Sequence, residues 1–451
     1  MPRGDFARVE RRDTGDTGDA WFLNGGPVHG RLSRTSAAPG LVEHFFRREY
    51  GRLVALLTRK VGVRHIDVVE DAVQSALLAA LTAWTTRGFP DDPSAWLYRV
   101  AHNNLIGEFR RKAGRRRILE QALVDVVESV DQPEPLGFAG EVRDDLLRML
   151  FVCCDDAIPR ESQLVFALKT LCGFSTGEIV LRLFTTEANV YKRLARARDR
   201  LRKADAGLQT PPLDALKSRL PSVHRVLYLL FNEGYLSANA DLAIRREVCD
   251  EAIHLATLLA EHPVGAVPET FALLALMHLH TARLAARSDE AGGLLVLEAQ
   301  DRSLWDRERM GLGAEWLKQS ASGDVFSRFH AEAGIAAAHC FAPSFKETDW
   351  AEIADLYTML ERVDPSPLNI MNQAVAVAEW QGPEAGLALL QALSPPSWLS
   401  GSYLWDAVMS DLHRRAGKLE IARHHMDRAL ASAPTEAVRA LLRRRLTTPA
   451  E

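Results

Sequence analysis

The chain has 451 residues, 47% hydrophobic and 25% charged, with a formal net charge of −4. This is enough apolar content for several cores, the length favours about three domains, and the near-neutral balance excludes a globally basic nucleic-acid coat. No basic end followed by an apolar run of secretory length opens the chain, and no unbroken apolar run reaches membrane-spanning length, so a cytoplasmic protein that makes no use of a membrane is expected. Cys153, Cys154, Cys172, Cys249 and Cys340 show no C-x-x-C spacing and are expected to be buried, reduced thiols.

Residues 1–40 are crowded with Gly, Pro, Ser, Thr, Asp and Arg and are predicted to be a disordered extension. From 41 to 62 apolar residues recur at Leu41, Phe45, Leu53, Leu56 and Leu57 and stop at a glycine, predicting an amphipathic helix. A second helix follows, over 65–84. Its first half gathers Asp67, Glu70, Asp71, Gln74 and Ser75, a candidate docking face, while Leu77, Leu78, Leu81 and Trp84 are expected in the core.

Asp92 and Pro93 then cap a third helix, with Leu97, Val100, Ala101, Leu105 and Phe109 on one face. Arg99, Asn103 and Arg110 recur opposite, beside Trp96 and Tyr98. Bases stack on aromatic faces while cations neutralise phosphates, so this stripe suits a single strand. A core aromatic pair beside a solvated basic face fits the same pattern. Residues 118–140 read as an acidic linker: Asp125, Glu128, Asp131 and Glu134 stand there among prolines.

A second helical module spans 141–206. Ser175 and Glu178 make a capping box, and Thr186 caps a further helix with Val190, Leu194, Ala197 and Leu201 on one side. Ala188, Lys192, Ala195 and Arg196 face away from that stripe, flanked by Asn189 and Tyr191. Such a pair reads as a helix-turn-helix whose second helix can enter a groove, and also as an ordinary helical hairpin with a charged outer face. Residues 99–117 and 191–203 each hold seven Arg or Lys against one acid, which leaves −16 for everything else. The two stretches are the anionic-partner surfaces.

Pro211 and Pro212 precede a last helical part, 211–446. Gly417, Ala422, Met426, Ala429 and Pro434 fall at tetratricopeptide spacing, and Gly382 lies 35 residues before Gly417, predicting at least two stacked helical hairpins. Its histidines form no ligating pattern, since His278 and His280 lie about 200° apart on a helix. H-E-x-x-H and a Walker A loop are absent, so no enzyme activity, metal or cofactor is expected. Asn232, Glu233, Arg283, Gln300, Asp301, Arg302, Trp305 and Asp306 could line a polar pocket or brace helix packing.

WLYRVAHN at 96–103, the preceding EDAVQSALLAALTAW and the later EANVYKRLARARDRLRK resemble the second and fourth regions of extracytoplasmic-function (ECF) sigma factors of bacterial RNA polymerase. LYLLFNEGYLSA, EAQDRSLWDRE and SPLNIMNQAVAVAEWQGPEAGLALL resemble the tetratricopeptide-like C-terminal extension of one subgroup. The resemblance implies an all-α protein: a sigma region 2 module at 41–117, a helix-turn-helix region 4 at 141–206 and a regulatory helical-hairpin domain at 211–446. It implies docking on the clamp helices of core RNA polymerase through Asp71, Gln74 and Ser75. It places Arg87, Phe89, Trp96, Tyr98, Arg99, Asn103, Arg110 and Arg111 on melted minus-ten promoter DNA, and Asn189, Tyr191, Lys192, Arg193 and Arg196 on the minus-35 duplex. The C-terminal domain could take a protein or small-molecule partner. Many relatives differ at Ser75, His102 and Gln373. A ligand-sensing helix-turn-helix regulator that does not bind core polymerase is the rival reading, and residues 67–75 discriminate the two.

Overall fold

Apolar residues recurring every three or four positions dictate helices, and helices are what form. The computed structural model describes residues 37–116, 139–183, 185–203, 213–235, 244–288, 295–433 and 436–447, and within these residues every regular element is helical. The all-α class expected from the sequence is the observed one.

The first group is α1 (Ala37–Val61), α2 (Ile66–Arg87) and α3 (Pro93–Arg116). α1 begins at Ala37, four residues inside the expected extension, the rest of which lies outside the described residues. It ends where Gly62 takes φ 88°, a backbone state that other residues reach only with strain. α3 starts as its sequence predicts: Pro93 needs no N–H partner, and the Asp92 carboxylate accepts from the Ala95 N–H at 2.9 Å. Leu97, Ala101, Leu105 and Phe109 are buried; Val100 is only half-buried.

α2 corrects the expectation for its second half. Its inward face is Val69, Ala72, Val73, Ala76, Ala80 and Trp84, whereas Leu78 is 66% and Leu81 47% exposed. Three alanines one turn apart let α3 approach closely, and the leucines fall on the outer side of that seam. Glu70, counted with the polar docking residues, is also turned inward and buried.

The second group is α4 (Ala139–Cys153), α5 (Arg160–Thr170), α6 (Thr176–Arg182) and α7 (Glu187–Lys203). The acidic linker expected over 118–140 lies outside the described residues as far as 138, and its last two residues already belong to α4. The capping box forms in full: the Glu178 N–H donates to Ser175 Oγ at 3.2 Å, and the Ser175 N–H donates to Glu178 Oε2 at 2.7 Å. Val190, Leu194, Ala197 and Leu201 all bury, and Thr186 Oγ1 accepts from the Asn189 N–H at 3.3 Å.

Then follow α8 (Leu213–Tyr235), α9 (Arg246–Glu261), α10 (Pro268–Ala282), α11 (Arg307–Ser320), α12 (Arg328–Phe341), α13 (Trp350–Val363), α14 (Pro367–Gln381), α15 (Pro383–Ala392), the single turn α16 (Ser397–Ser400), α17 (Tyr403–Arg415), α18 (Leu419–Ser432) and α19 (Glu436–Thr447). α10 is apolar on nearly every side and is enclosed by α8, α9, α11 and α12, as a helix without a polar face must be. α14–α15 and α17–α18 are hairpins turning at Gly382 (φ 98°) and Gly417 (φ 73°), and α17 packs on both members of the earlier pair. The expected stacking of two hairpins is therefore present.

One apolar core runs without a break from Tyr50 on α1 to Cys340 on α12. All five thiols lie in buried positions, and burial pushes Cys154 up to about 12. Among the described residues no helix is long and apolar enough to cross a membrane.

Candidate nucleic-acid interface

Three exposed surfaces collect the residues singled out by the sequence. On α2, Asp71, Gln74 and Ser75 are exposed, and the Ser75 hydroxyl donates to the Asp71 carbonyl at 2.8 Å. Leu78 stands one turn beyond Gln74, and Leu81 follows it. The result is a stripe that begins acidic and ends apolar, where water contacts hydrocarbon that a partner could cover. The sequence supplied the acidic half of this surface and placed its leucines in the core.

The second surface surrounds Trp84, whose buried indole packs against Phe46 at 5.5 Å, Phe89 at 5.1 Å and, edge-on, Trp96 at 5.5 Å. Phe89 is 64% exposed and Trp96 half-buried, so the edge of the aromatic cluster reaches solvent. Arg87, Arg99, Asn103, Arg110 and Arg111 are exposed; Arg111 pairs with Glu108 on its own helix. Rings braced from behind and cations in front are what a stacked, phosphate-linked strand requires.

Tyr98 does not join them. It is 4% exposed, stacks on His102 at 5.6 Å and carries the Lys60 ammonium 5.7 Å from its ring. The reason is helical geometry: Tyr98 lies three residues from Ala101 and seven from Leu105, on the buried face of α3, while Trp96 lies about 200° away.

The third surface is the outer face of α7, where Asn189, Tyr191, Lys192 and Arg196 are exposed beside Ala188 and Ala195, and Arg193 is half-buried. The apolar stripe behind them, Val190, Leu194, Ala197 and Leu201, is buried.

Two ion-pair nodes, missed in the sequence, join these surfaces. Arg198 on α7 pairs with Asp67 of α2 (Nε to Oδ1, 2.8 Å) and with buried Glu70, whose other oxygen accepts the Thr170 hydroxyl at 2.5 Å. Burial lowers the Arg198 pKa, but the carboxylates of Glu70 and Asp67 outweigh it and the net shift is upward. At the second node Glu178 Oε1 accepts from Arg47 of α1 at 2.9 Å and from Arg245, just before α9, at 3.0 Å. Burial alone would raise its pKa; Arg47, the capping box and Arg245 together bring it down to about 2. A signal for the first node existed. Arg198 is four residues from Leu194 and three from Leu201, so it borders the buried stripe of α7, and Glu70 stands likewise between Ile66 and Val73 on α2.

The polar residues of the last part act as braces. Asp301 and Asp306 are N-caps, accepting from the Ser303 and Arg309 N–H groups at 2.9 and 3.0 Å. Arg302 donates to the His339 and Ala342 carbonyls at the end of α12 and lies over Trp305. Arg283 is buried beside His280 and Tyr235. A groove of about 1280 Å³ opens elsewhere, between α8, the start of α12 and α16, and is lined by Arg225, Tyr228, Phe326, Phe329 and Trp398. No described group of His, Cys, Asp and Glu could hold a metal ion.

Residues 45–115, spanning α1 to α3, match sigma-70 region 2, and residues 219–321, spanning α8 to α11, match a family of unknown function, DUF6596. Over 384 residues the chain is 35% identical to an uncharacterized protein of Rhizobium meliloti, an alignment covering 85% of this chain and 90% of that one. Over 160 residues it is 26% identical to a probable RNA polymerase sigma factor of Haemophilus influenzae, covering 33% of this chain and 81% of that protein. No solved structure matches. The chain belongs to one family with the Rhizobium protein, and the sigma-70 region 2 match at 45–115 together with the similarity to the Haemophilus protein supports a sigma-type factor.

Proposed function

We propose that the chain binds core RNA polymerase and directs promoter-specific transcription initiation as a sigma factor of the ECF group. Residues 41–117 serve as region 2, residues 141–206 as region 4 and residues 211–446 as a tetratricopeptide-like regulatory domain. One observation carries the reading: the region 2 match at 45–115 coincides with the two exposed surfaces of α2 and α3. Asp71, Gln74 and Ser75, continued by Leu78 and Leu81, form the face for the polymerase clamp helices. Arg87, Phe89, Trp96, Arg99, Asn103, Arg110 and Arg111 take the melted minus-ten strand, and Asn189, Tyr191, Lys192, Arg193 and Arg196 the minus-35 duplex. Tyr98 supports this surface from the core. The groove beside Trp398 offers a place for a protein or small-molecule partner of the regulatory domain. Strand opening needs no covalent step, because stacking of unpaired bases on Trp96 and Phe89 and neutralisation of phosphates favour the melted state.

The test is binding of purified protein to core polymerase, followed by transcription from a promoter selected from genomic DNA. Wild type is expected to bind and initiate, and Asp71→Ala/Gln74→Ala to bind core at least about tenfold more weakly, about 1.4 kcal/mol. Binding of promoter DNA by a wild type that ignores core would instead favour a ligand-sensing regulator. Trp96→Ala is expected to bind core normally yet bind a minus-ten single-strand oligonucleotide about tenfold more weakly, within the stacking range of about 1–3 kcal/mol per base. Fluorescence anisotropy with a labelled oligonucleotide on the assembled complex reads this directly.

A further inference from the structure

Arg198 is on the same helix as the minus-35 residues, and its partner Asp67 lies one turn from Asp71 on α2, so α7 sits against the acidic end of the polymerase face. That placement limits reach. Elements named for positions minus ten and minus 35 lie about 25 bp apart, roughly 85 Å of duplex. In this structure a short path joins the two DNA faces. The Trp96 ring is 5.5 Å from Trp84, α2 leads from Trp84 to Asp67, Asp67 is 2.8 Å from Arg198, and α7 leads back to Asn189. At 1.5 Å per helical residue, with every side chain extended and every step in one direction, the path is at most about 60 Å. Both elements cannot be held while Arg198 grips α2.

We propose that this is a closed resting state, in which the grip of Arg198 on Asp67 and Glu70, and the joint grip of Arg47 and Arg245 on Glu178, hold the α6–α7 pair against the region 2 module and mask the Asp67 end of its polymerase face, while Asp71, Gln74 and Ser75 beside it stay exposed. This rests on the sigma reading above. The second grip gives the C-terminal half a direct hold on α6. Arg245 is 4% exposed, and its N–H donates to the Gly234 carbonyl at 2.7 Å, so the packing of α8 on α9 sets its position. Phe174 lies under both cations, 4.7 Å from the Arg47 guanidinium and 5.8 Å from that of Arg245. Mild acid does not release this node. The Glu178 carboxyl titrates near 2 when folded, so its contribution is complete above its ordinary 4.5 and is lost only as pH falls towards 2.

The experiment uses the full chain with Arg198→Gln, Asp67→Asn and Arg245→Gln, and with Arg198→Lys as the conservative control. Small-angle scattering and hydrogen exchange on the free protein read the closed contact, and titration with core polymerase reads masking. The glutamine and asparagine variants are expected to show a larger radius of gyration, faster exchange across 63–70 and α7, and about fivefold or tighter binding to core. Arg198→Lys is expected to stay close to wild type. If Arg198→Gln does not fold, Asp67→Asn, which alters a partly exposed carboxylate, carries the test. Variants as compact and as slowly exchanging as wild type overturn the closed contact. Opened variants that bind core no better than a wild type that does bind overturn the masking alone. If neither wild type nor opened variants bind core, the sigma reading fails and the masking falls with it.

Discussion

Glu70→Ala is expected to destabilise the fold by about 3 kcal/mol, the lower end of the range for removing one member of a buried ion pair. Glu70 is 2% exposed, with one oxygen on Arg198 and the other on the hydroxyl of Thr170, which is itself fully buried. The variant leaves that hydroxyl without its acceptor and removes the nearer of two carboxylates from Arg198. Asp67 remains, which keeps the loss near the lower bound. Glu70→Gln keeps the volume and a carbonyl for Thr170, and should cost about 1–2 kcal/mol, the worth of a charge-assisted contact reduced to a neutral one. A double-mutant cycle separates pairing from packing. Arg198→Ala should cost less in the Glu70→Ala background than in wild type, by about 1 kcal/mol or more, when urea midpoints of all four proteins are compared. Equal costs in both backgrounds would show that the two side chains do not interact.

That pair also marks where the sequence stops being informative. The Asp92 cap, the Ser175–Glu178 box and the Val190–Leu201 stripe were legible because each depends on residues within one or two helical turns. So were the hairpin turns at Gly382 and Gly417, where a repeat spacing meets a backbone state that favours glycine. Tyr98 was misplaced because aromatic type was weighed over its position three residues before Ala101. Leu78 and Leu81 were placed inside because hydrophobicity was read without asking which face the alanines of α2 turn to α3. Glu178 was read correctly as a box residue, yet its Oε1 is shared by Arg47 and Arg245, which are 131 and 67 residues away in the chain. Local rules cannot supply partners at that distance. The exposed surfaces were thus readable residue by residue, while the contacts that set one surface against another were not.

Gly51→Ala is expected to destabilise the fold by about 3 kcal/mol, although helix propensity predicts the opposite sign. A glycine inside a helix costs roughly 0.5–1 kcal/mol relative to alanine, so on the account of α1 alone the substitution should help. A Cβ at Gly51 would lie 2.0 Å from the carbonyl oxygen of Leu171 and 3.1 Å from its carbon, and this is backbone at the end of α5, which no rotamer change can clear. α1 must therefore move away, at the upper end of the usual range for overpacking. The same movement draws Arg47 and Tyr50 from the turn at Gly173, against which they pack, and so loosens the Arg47–Glu178 contact. Gly107, inside α3, is the internal control: a Cβ there meets nothing within 4 Å, so Gly107→Ala should stabilise by about 0.5–1 kcal/mol. Urea midpoints moving in opposite directions for the two variants would establish that α1 reaches the Leu171 carbonyl. Two shifts of the same sign and size would mean that Gly51 faces open space and that the helices do not meet there.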